Sequence, residues 1–256
     1  MTSKDKEGVR RAGPPQASTN PSGGSVLREV KSVGARRIAL FDLDHTLIPM
    51  DSDYEWGEFT IAEGWCDSTE FKRRNTEFFE QYRAGTLNID EYVRFATQAI
   101  CEKGAEAAAA GHARFMASVI GKNIKPQALD LVSGHREAGD EVVIVTATNE
   151  FVTRPIATAF GVKELIAVEL VRDASGWFTG GIKGTPSFRE GKVTRVQAWL
   201  AERGLGWDDV ETTFYTDSMN DLALLEKVTH PVATNPDARL RALAKERGWR
   251  ILDLFI

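Results

Sequence analysis

A short apolar run, RRIALFDLDHTLIPMD at residues 36–51, drives straight into a cluster of acids. Residues 38–41 have the continuous apolar character of a strand buried on both faces. Such a strand can place charge only at its end. Asp42, Asp44 and Thr46 occupy alternate positions, which a two-residue period turns to one side of an extended segment. Like charges so placed repel, and a positive group is expected between them. His45, on the opposite parity, is expected to point away as a neutral neighbour.

Strand and helix patterns alternate through the second half of the chain. DEVVIVTAT reads as a buried strand, with Thr146 closing VVIVT, and TTFYTD as another, ending near Asp217. PQALDLVSGHREAG, FVTRPIATAFGV and KVTRVQAWLAERG read as helices between strands. LIAVELVRDASGWFTGGI reads as strands about a turn at 174–176. HPVATN is the last expected strand and PDARLRALAKERGW the last helix. This alternation predicts an α/β, Rossmann-like parallel sheet with helices on both faces. Ligands bind such sheets outside the carboxyl ends of the strands, where Asp42, Asp44, Thr146 and Asp217 all fall.

Residues 54–123 lack strand signals. Phe71, Phe78, Phe79 and Tyr82 recur at helical spacing, as do Ile89, Tyr92, Val93 and Ala96, and GAEAAAAGHARFMASVI is a strong helix former. An inserted all-helical cap over 54–123 is therefore expected within a core of 36–53 and 124–256. Its aromatic stripe reads as cap core, with Trp56 and Trp65 as core or interface. Residues 1–35, rich in Gly, Pro, Ser and charge, read as a disordered tail.

Composition narrows the function classes. A net charge of −5 offers no basic footprint for nucleic acid. No stretch reaches the roughly 18 apolar residues of a membrane span. Arg10 and Arg11 are followed by no apolar export segment. Cys66 and Cys101 match no metal or redox spacing and read as free thiols of a reducing compartment. A cytoplasmic location is expected, and the oligomeric state stays open.

Carboxylates meeting at one sheet edge, without Cys or a His pair, call for a hard cation, and Mg2+ fits. A carboxylate can attack phosphorus and form an aspartyl-phosphate. Phosphoryl transfer then needs alignment and neutralisation of the equatorial oxygens. The Thr146 hydroxyl, backbone donors and Lys192 could supply these, with Lys183 as the rival lysine. Asn149 is the better helix cap than Thr146.

Asp42-x-Asp44-x-Thr46, Thr146 after VVIV, Lys192, and Asp217-Ser-Met-Asn220-Asp221 resemble the four ordered motifs of the haloacid dehalogenase-like hydrolase superfamily. AGTLNIDEYVRF is similar to a cap segment of its phosphoserine phosphatase-like branch. The resemblance implies a magnesium-dependent phosphomonoester hydrolase acting on a small phosphorylated metabolite. It makes Asp42 the nucleophile and Asp44 the general acid and base. Asp42, Asp217 and the Asp44 carbonyl would hold the metal, with Asp221 in support. Thr146, Ala147 and Lys192 would bind phosphate, and Asn220 would reach phosphate or substrate.

The branch uses an acid after the first motif for the substrate amine, where Asp51 and Asp53 stand. Its cap arginine, which holds a carboxylate, corresponds here to Ala96, and Arg94 lies on another face. Ala147-Thr148 replaces a Gly-Gly pair. An amine-bearing phosphate without a carboxylate is expected, histidinol phosphate being one, and DSDYEWGEF is similar to phosphatases of that kind. The alternatives are phosphoserine hydrolysis, a second anionic group at Arg73 and Arg74, or a phosphotransferase or mutase using the same aspartyl-phosphate. Asp51 and Asp53 could instead be hinge residues at the cap entrance.

Overall fold

A computed structural model describes residues 36–255. The tail expected over 1–35, with Arg10 and Arg11, lies outside the described residues. Strand β1 (Arg36–Phe41) is followed by helices α1 (Ser52–Ala62), α2 (Ser68–Ala84) and α3 (Ile89–Phe115). Helix α3 kinks at Gly104, whose φ of 77° needs a residue without a Cβ. A π-helical turn, Met116–Ile120, leads into the short α4 (Gly121–Asn123) and then α5 (Pro126–Glu137). There follow β2 (Glu141–Asn149), α6 (Glu150–Ala159), β3 (Glu164–Val168), the strands β4 (Leu170–Arg172) and β5 (Phe178–Ile182), and α7 (Glu190–Ala201). The chain closes with β6 (Val210–Thr216), α8 (Leu222–Leu225), β7 (His230–Thr234), α9 (Ala238–Arg247) and β8 (Arg250–Leu252).

Six strands form one parallel sheet in the order β3-β2-β1-β6-β7-β8. β1 lies inside it, with Leu40 level with Val143 on one side and Phe214 on the other. Side-chain alternation splits the core in two. Ala39, Phe41, Ile144 and Tyr215 face α5 and α6, packing with Val132, Val152 and Ile156. Ile38, Leu40, Val143 and Phe214 face α7, α8 and α9, packing with Val196, Leu200, Leu224 and Leu240. Covered on both faces, the strands can be apolar throughout.

The inserted helices carry a core of their own in Phe71, Phe78, Leu87 and Phe95. Trp56 is buried among Phe59, Trp65, His112, Phe115 and Phe151. β4 and β5 pair antiparallel apart from the main sheet and meet α3, where the Trp177 indole N–H donates to the Ile100 carbonyl at 3.2 Å.

Two expectations are corrected. The chain does not stay extended past Phe41: the Leu43 carbonyl accepts from the amides of Thr46, Leu47 and Ile48, curling the segment into a turn. His45 takes a φ of 55° there, so strand parity does not set its direction. And HPVATN is not the last strand, because β8 adds to its edge, too short to carry a periodic signal. Among the described residues, no helix is long and apolar enough to cross a membrane.

Candidate active site

β1 ends at Phe41, and the next residue is held to the neighbouring strand by an Asp42 N–H donated to the Tyr215 carbonyl at 2.9 Å. Its carboxylate meets the Lys192 ammonium, Nζ to Oδ1 being 2.9 Å. The same ammonium donates to Asp221 Oδ2 at 2.7 Å, and the Thr216 hydroxyl donates to that oxygen at 2.7 Å. Lys192 reaches inward from the first turn of α7, while Lys183 stays exposed beside Glu169. Lys192, Asp42 and Asp221 are all nearly sealed, at 1%, 3% and 1% exposure. Burial alone would lower the Lys192 ammonium, but Asp221 and Asp42 outweigh it and hold the lysine above its usual range. Burial raises the Asp42 carboxyl, with Asp221 and Asp44 adding to the shift and Lys192 opposing it.

Asp217 follows β6 and pairs with the turn after β1. The Thr46 hydroxyl donates to Asp217 Oδ1 at 3.2 Å and accepts from the Asp217 N–H at 3.0 Å. Burial, then the charges of Asp42 and Asp221, raise the Asp217 carboxyl well above its ordinary value. The Asp44 carboxylate turns elsewhere, accepting from the Ser52 N–H and the Thr148 hydroxyl, each at 2.8 Å. Burial is the main cause pushing Asp44 up to about 6, and those donors oppose it. Thr146 is buried, and its hydroxyl accepts from the Thr148 N–H at 3.1 Å. Asn149 caps α6, accepting from the amides of Phe151 and Val152.

A cavity opens from Asp42, Asp44, Thr146 and Ala147 toward the inserted helices. Asp51 faces it while its Oδ1 caps α1, accepting from the Asp53 and Tyr54 amides. Asp53 does not line the cavity. The Tyr92 hydroxyl donates to it at 2.8 Å and the Asn149 amide at 3.2 Å, and burial pushes its carboxyl up to about 7. The rest of the wall is largely Tyr54, Phe78, Phe79, Tyr82, Leu87 and Tyr92. Phe79 and Tyr82 also border a second cavity, onto which Asp217, Asn220 and His45 open.

Other candidates stand apart from the inner cavity. The Asn220 amide donates to the Tyr82 carbonyl at 2.8 Å, tying the end of α2 to the core. Arg73 is exposed between Glu70 and Glu77, Arg74 pairs with Glu91 at 3.0 Å, and Arg94 is exposed. Sequence reasoning missed Thr148 as a partner of Asp44, Thr216 as a partner of Asp221, and Asn75 on the cavity wall. A polar residue two places past Thr146 was the available signal for the first.

Asp42 and Asp221 flank one ammonium, and their charges also bear on the buried Asp217 carboxyl, a surplus of negative charge that suits a cation. Among the described residues, no three His, Cys, Asp or Glu side chains form a ready-made metal cluster. Two carboxylates, Asp42 and Asp217, with the Asp44 backbone carbonyl, suit a hard ion that keeps most of its waters.

The sequence matches the haloacid dehalogenase-like hydrolases over residues 39–226. The chain belongs to the haloacid dehalogenase-like hydrolase family. Within it, this hydrolase is 42% identical over 219 residues to a Neisseria meningitidis serogroup C (strain 8013) protein named histidinol-phosphatase, covering 85% of this chain and 99% of that one. It is 30% identical over 260 residues to a phosphoserine phosphatase of Mycobacterium tuberculosis, covering 95% and 82%. A crystal structure of a Bordetella pertussis Tohama I protein of unknown function superposes with a TM-score of 0.82 at 49% identity, over 87% of this chain and all of that one. A substrate-bound phosphoserine phosphatase superposes at 0.62 with 16% identity, over 86% and 93%, a likeness of fold.

Proposed function

We propose that this phosphatase hydrolyses a small phosphate ester bearing an amine and no carboxylate, namely histidinol phosphate, through a phospho-Asp42 intermediate. The wall of the inner cavity carries the reading. Asp51 faces it beside the Asp42–Asp44 edge, most of the remainder is aromatic and aliphatic, and among the described residues no Lys, Arg or His lines it. An ammonium meets a counter-charge there and a flat ring meets aromatic walls. A substrate carboxylate would meet no counter-charge among these lining residues and would face Asp51. The relative named histidinol-phosphatase supports the same reading.

In this mechanism, an Asp42 oxygen bonds to phosphorus as the ester P–O bond breaks, and Asp44 gives its proton to the departing alkoxide. Asp44 then takes a proton from the water that attacks phosphorus, freeing phosphate and restoring Asp42. A carboxyl pushed up to about 6 suits both tasks. Thr146, the Ala147 N–H and Lys192 hold the phosphoryl oxygens, and Lys192 opposes the protonation of Asp42 that burial favours and aims its carboxylate. Bound at Asp42, Asp217 and the Asp44 carbonyl, Mg2+ would supply charge neutralisation for nucleophile and phosphate. Residues 54–123 act as the cap that shuts the cavity from water.

Phosphate release with Mg2+, compared across histidinol phosphate, phosphoserine and sugar phosphates, tests the reading. Histidinol phosphate is expected to lead phosphoserine in kcat/KM by roughly a hundredfold, since phosphoserine leaves a carboxylate unpaired. Equal or reversed preference would overturn it. The relative named phosphoserine phosphatase makes that reversal the second reading.

A further inference from the structure

Asn75 lies on α2 with its side chain on the wall of the inner cavity and 3% of the residue exposed. Its amide orientation is fixed: Nδ2 donates to the Tyr54 carbonyl at 3.1 Å, and a carbonyl can only accept. Oδ1 is then an acceptor that no donor among the described residues reaches. The oxygen is not one of the sealed unpaired polar atoms but opens onto the cavity, where a donor on a bound substrate can take the place of water.

The neighbourhood is shaped to admit this amide. Gly57 of α1 faces it, and a Cβ built there would stand 2.7 Å from Asn75 Nδ2 and 3.2 Å from Oδ1. A side chain at position 57 would push the amide out of place. On the wall of the same cavity, Asp51 uses Oδ1 for the amides of Asp53 and Tyr54, and no donor among the described residues reaches its Oδ2. The wall thus offers two free acceptors, one charged and one neutral, among aromatic rings.

We infer that Asn75 is a specificity-determining residue whose Oδ1 accepts the ring N–H of an azole-bearing substrate while Asp51 Oδ2 takes its ammonium. This rests on the reading of the cavity as a site for an aromatic amine phosphate. A neutral acceptor suits a neutral ring N–H, and a ring lacking that donor would leave Oδ1 unpaired in a drier cavity. Sites built to pair a substrate donor reject the analogue without it more strongly than sites built on shape.

The test compares histidinol phosphate with phenylalaninol phosphate, which keeps the amine, the phosphate and a flat ring but has no ring N–H. At pH 8 the wild-type enzyme is expected to favour histidinol phosphate by at least about tenfold in kcat/KM. Asn75→Leu should reduce that ratio to near one. Asn75→Asp, which keeps an acceptor and loses the donor to Tyr54, should retain it. The ratio is read within each variant, so a loss of folded protein does not affect it. A wild-type ratio near one overturns the inference without any variant. A ratio kept in Asn75→Leu, or lost in both variants, also overturns it, the latter marking Asn75 as an interhelix tie. If phosphoserine outruns both amines in the wild type, it is the underlying substrate reading that fails.

Discussion

The Lys192 ammonium stands 2.9 Å from Asp42 Oδ1, an ion pair between residues 150 positions apart with both side chains sealed from solvent. A buried pair of this kind adds little as a pair, but either member is expensive to leave alone. Lys192→Met would leave Asp42 and Asp221 buried without a counter-charge. The expected loss is about 3–5 kcal/mol of stability, read by urea unfolding, with kcat lowered by at least about a hundredfold. Folded Lys192→Met at near wild-type activity would contradict the placement of the phosphoryl site.

Asp217 offers a test of the proposed metal site that leaves Asp42 itself unchanged. A chelator should abolish turnover and Mg2+ restore it, and Mg2+ should raise the Tm by mass action. Asp217→Asn removes one of two carboxylates and should weaken the Mg2+ response of both readouts at least about tenfold. A Tm response to Mg2+ unaltered in Asp217→Asn would place the ion elsewhere.

Asp53 carries a pH signature away from the chemistry. Its carboxyl is pushed from 3.8 to about 7 by burial, so the folded chain holds its proton where the unfolded chain has released it. The sign follows: its contribution is full below about pH 4 and is lost as pH rises to about 7, at most about 4 kcal/mol. Asp53→Asn should flatten the stability profile across that window, because an amide has no proton to release there, while the Tyr92 hydroxyl can accept from it. Parallel profiles for the two proteins would show that Asp53 keeps an ordinary carboxyl.

Thr148 supplies one of two donors to Asp44. Thr148→Val keeps the shape and removes the donor, so the Asp44 carboxyl should rise further. The acid limb of the kcat profile should move to higher pH, with kcat reduced about tenfold. An unmoved limb would mean that another group sets it.

Gly85 ends α2 with a φ of 73°, and a Cβ built there would fall 2.7 Å from Arg189 Nη2. Gly85→Ala should cost about 1–2 kcal/mol from backbone strain, visible as a lower Tm. An unchanged Tm would mean the helix end relaxes freely.

The parallel sheet was readable because its strands are short apolar runs separated by helical periods, and burial on both faces leaves that trace. The candidate acids were readable for the same reason: residues such as Asp42 and Asp217 have no other place than a strand end. The aim of individual side chains was not. Asp42, Asp44 and Thr46 look collinear in sequence, yet the Leu43 carbonyl gathers three amides and turns Asp44 toward Ser52 and Thr148. Asp51 and Asp53 look equivalent, and only the packing of Tyr92 and Asn149 draws one of them from the cavity. Asn75 carries no motif, since what matters there is a missing partner, which depends on every neighbour at once.

The position of β1 inside the sheet also has a consequence for how the enzyme comes into being. Residues 36–42 leave the ribosome early, but one flank of that strand stays open until Val210–Thr216 is made, and Asp42 has no counter-ion until Lys192 arrives. Long-range parallel pairings of this sort form late and slowly. A half-synthesised chain therefore carries Asp42 without the strand and the lysine that surround it in the folded sheet. The chemistry proposed for Asp42 waits on the last third of the polypeptide, which supplies both β6 and Lys192.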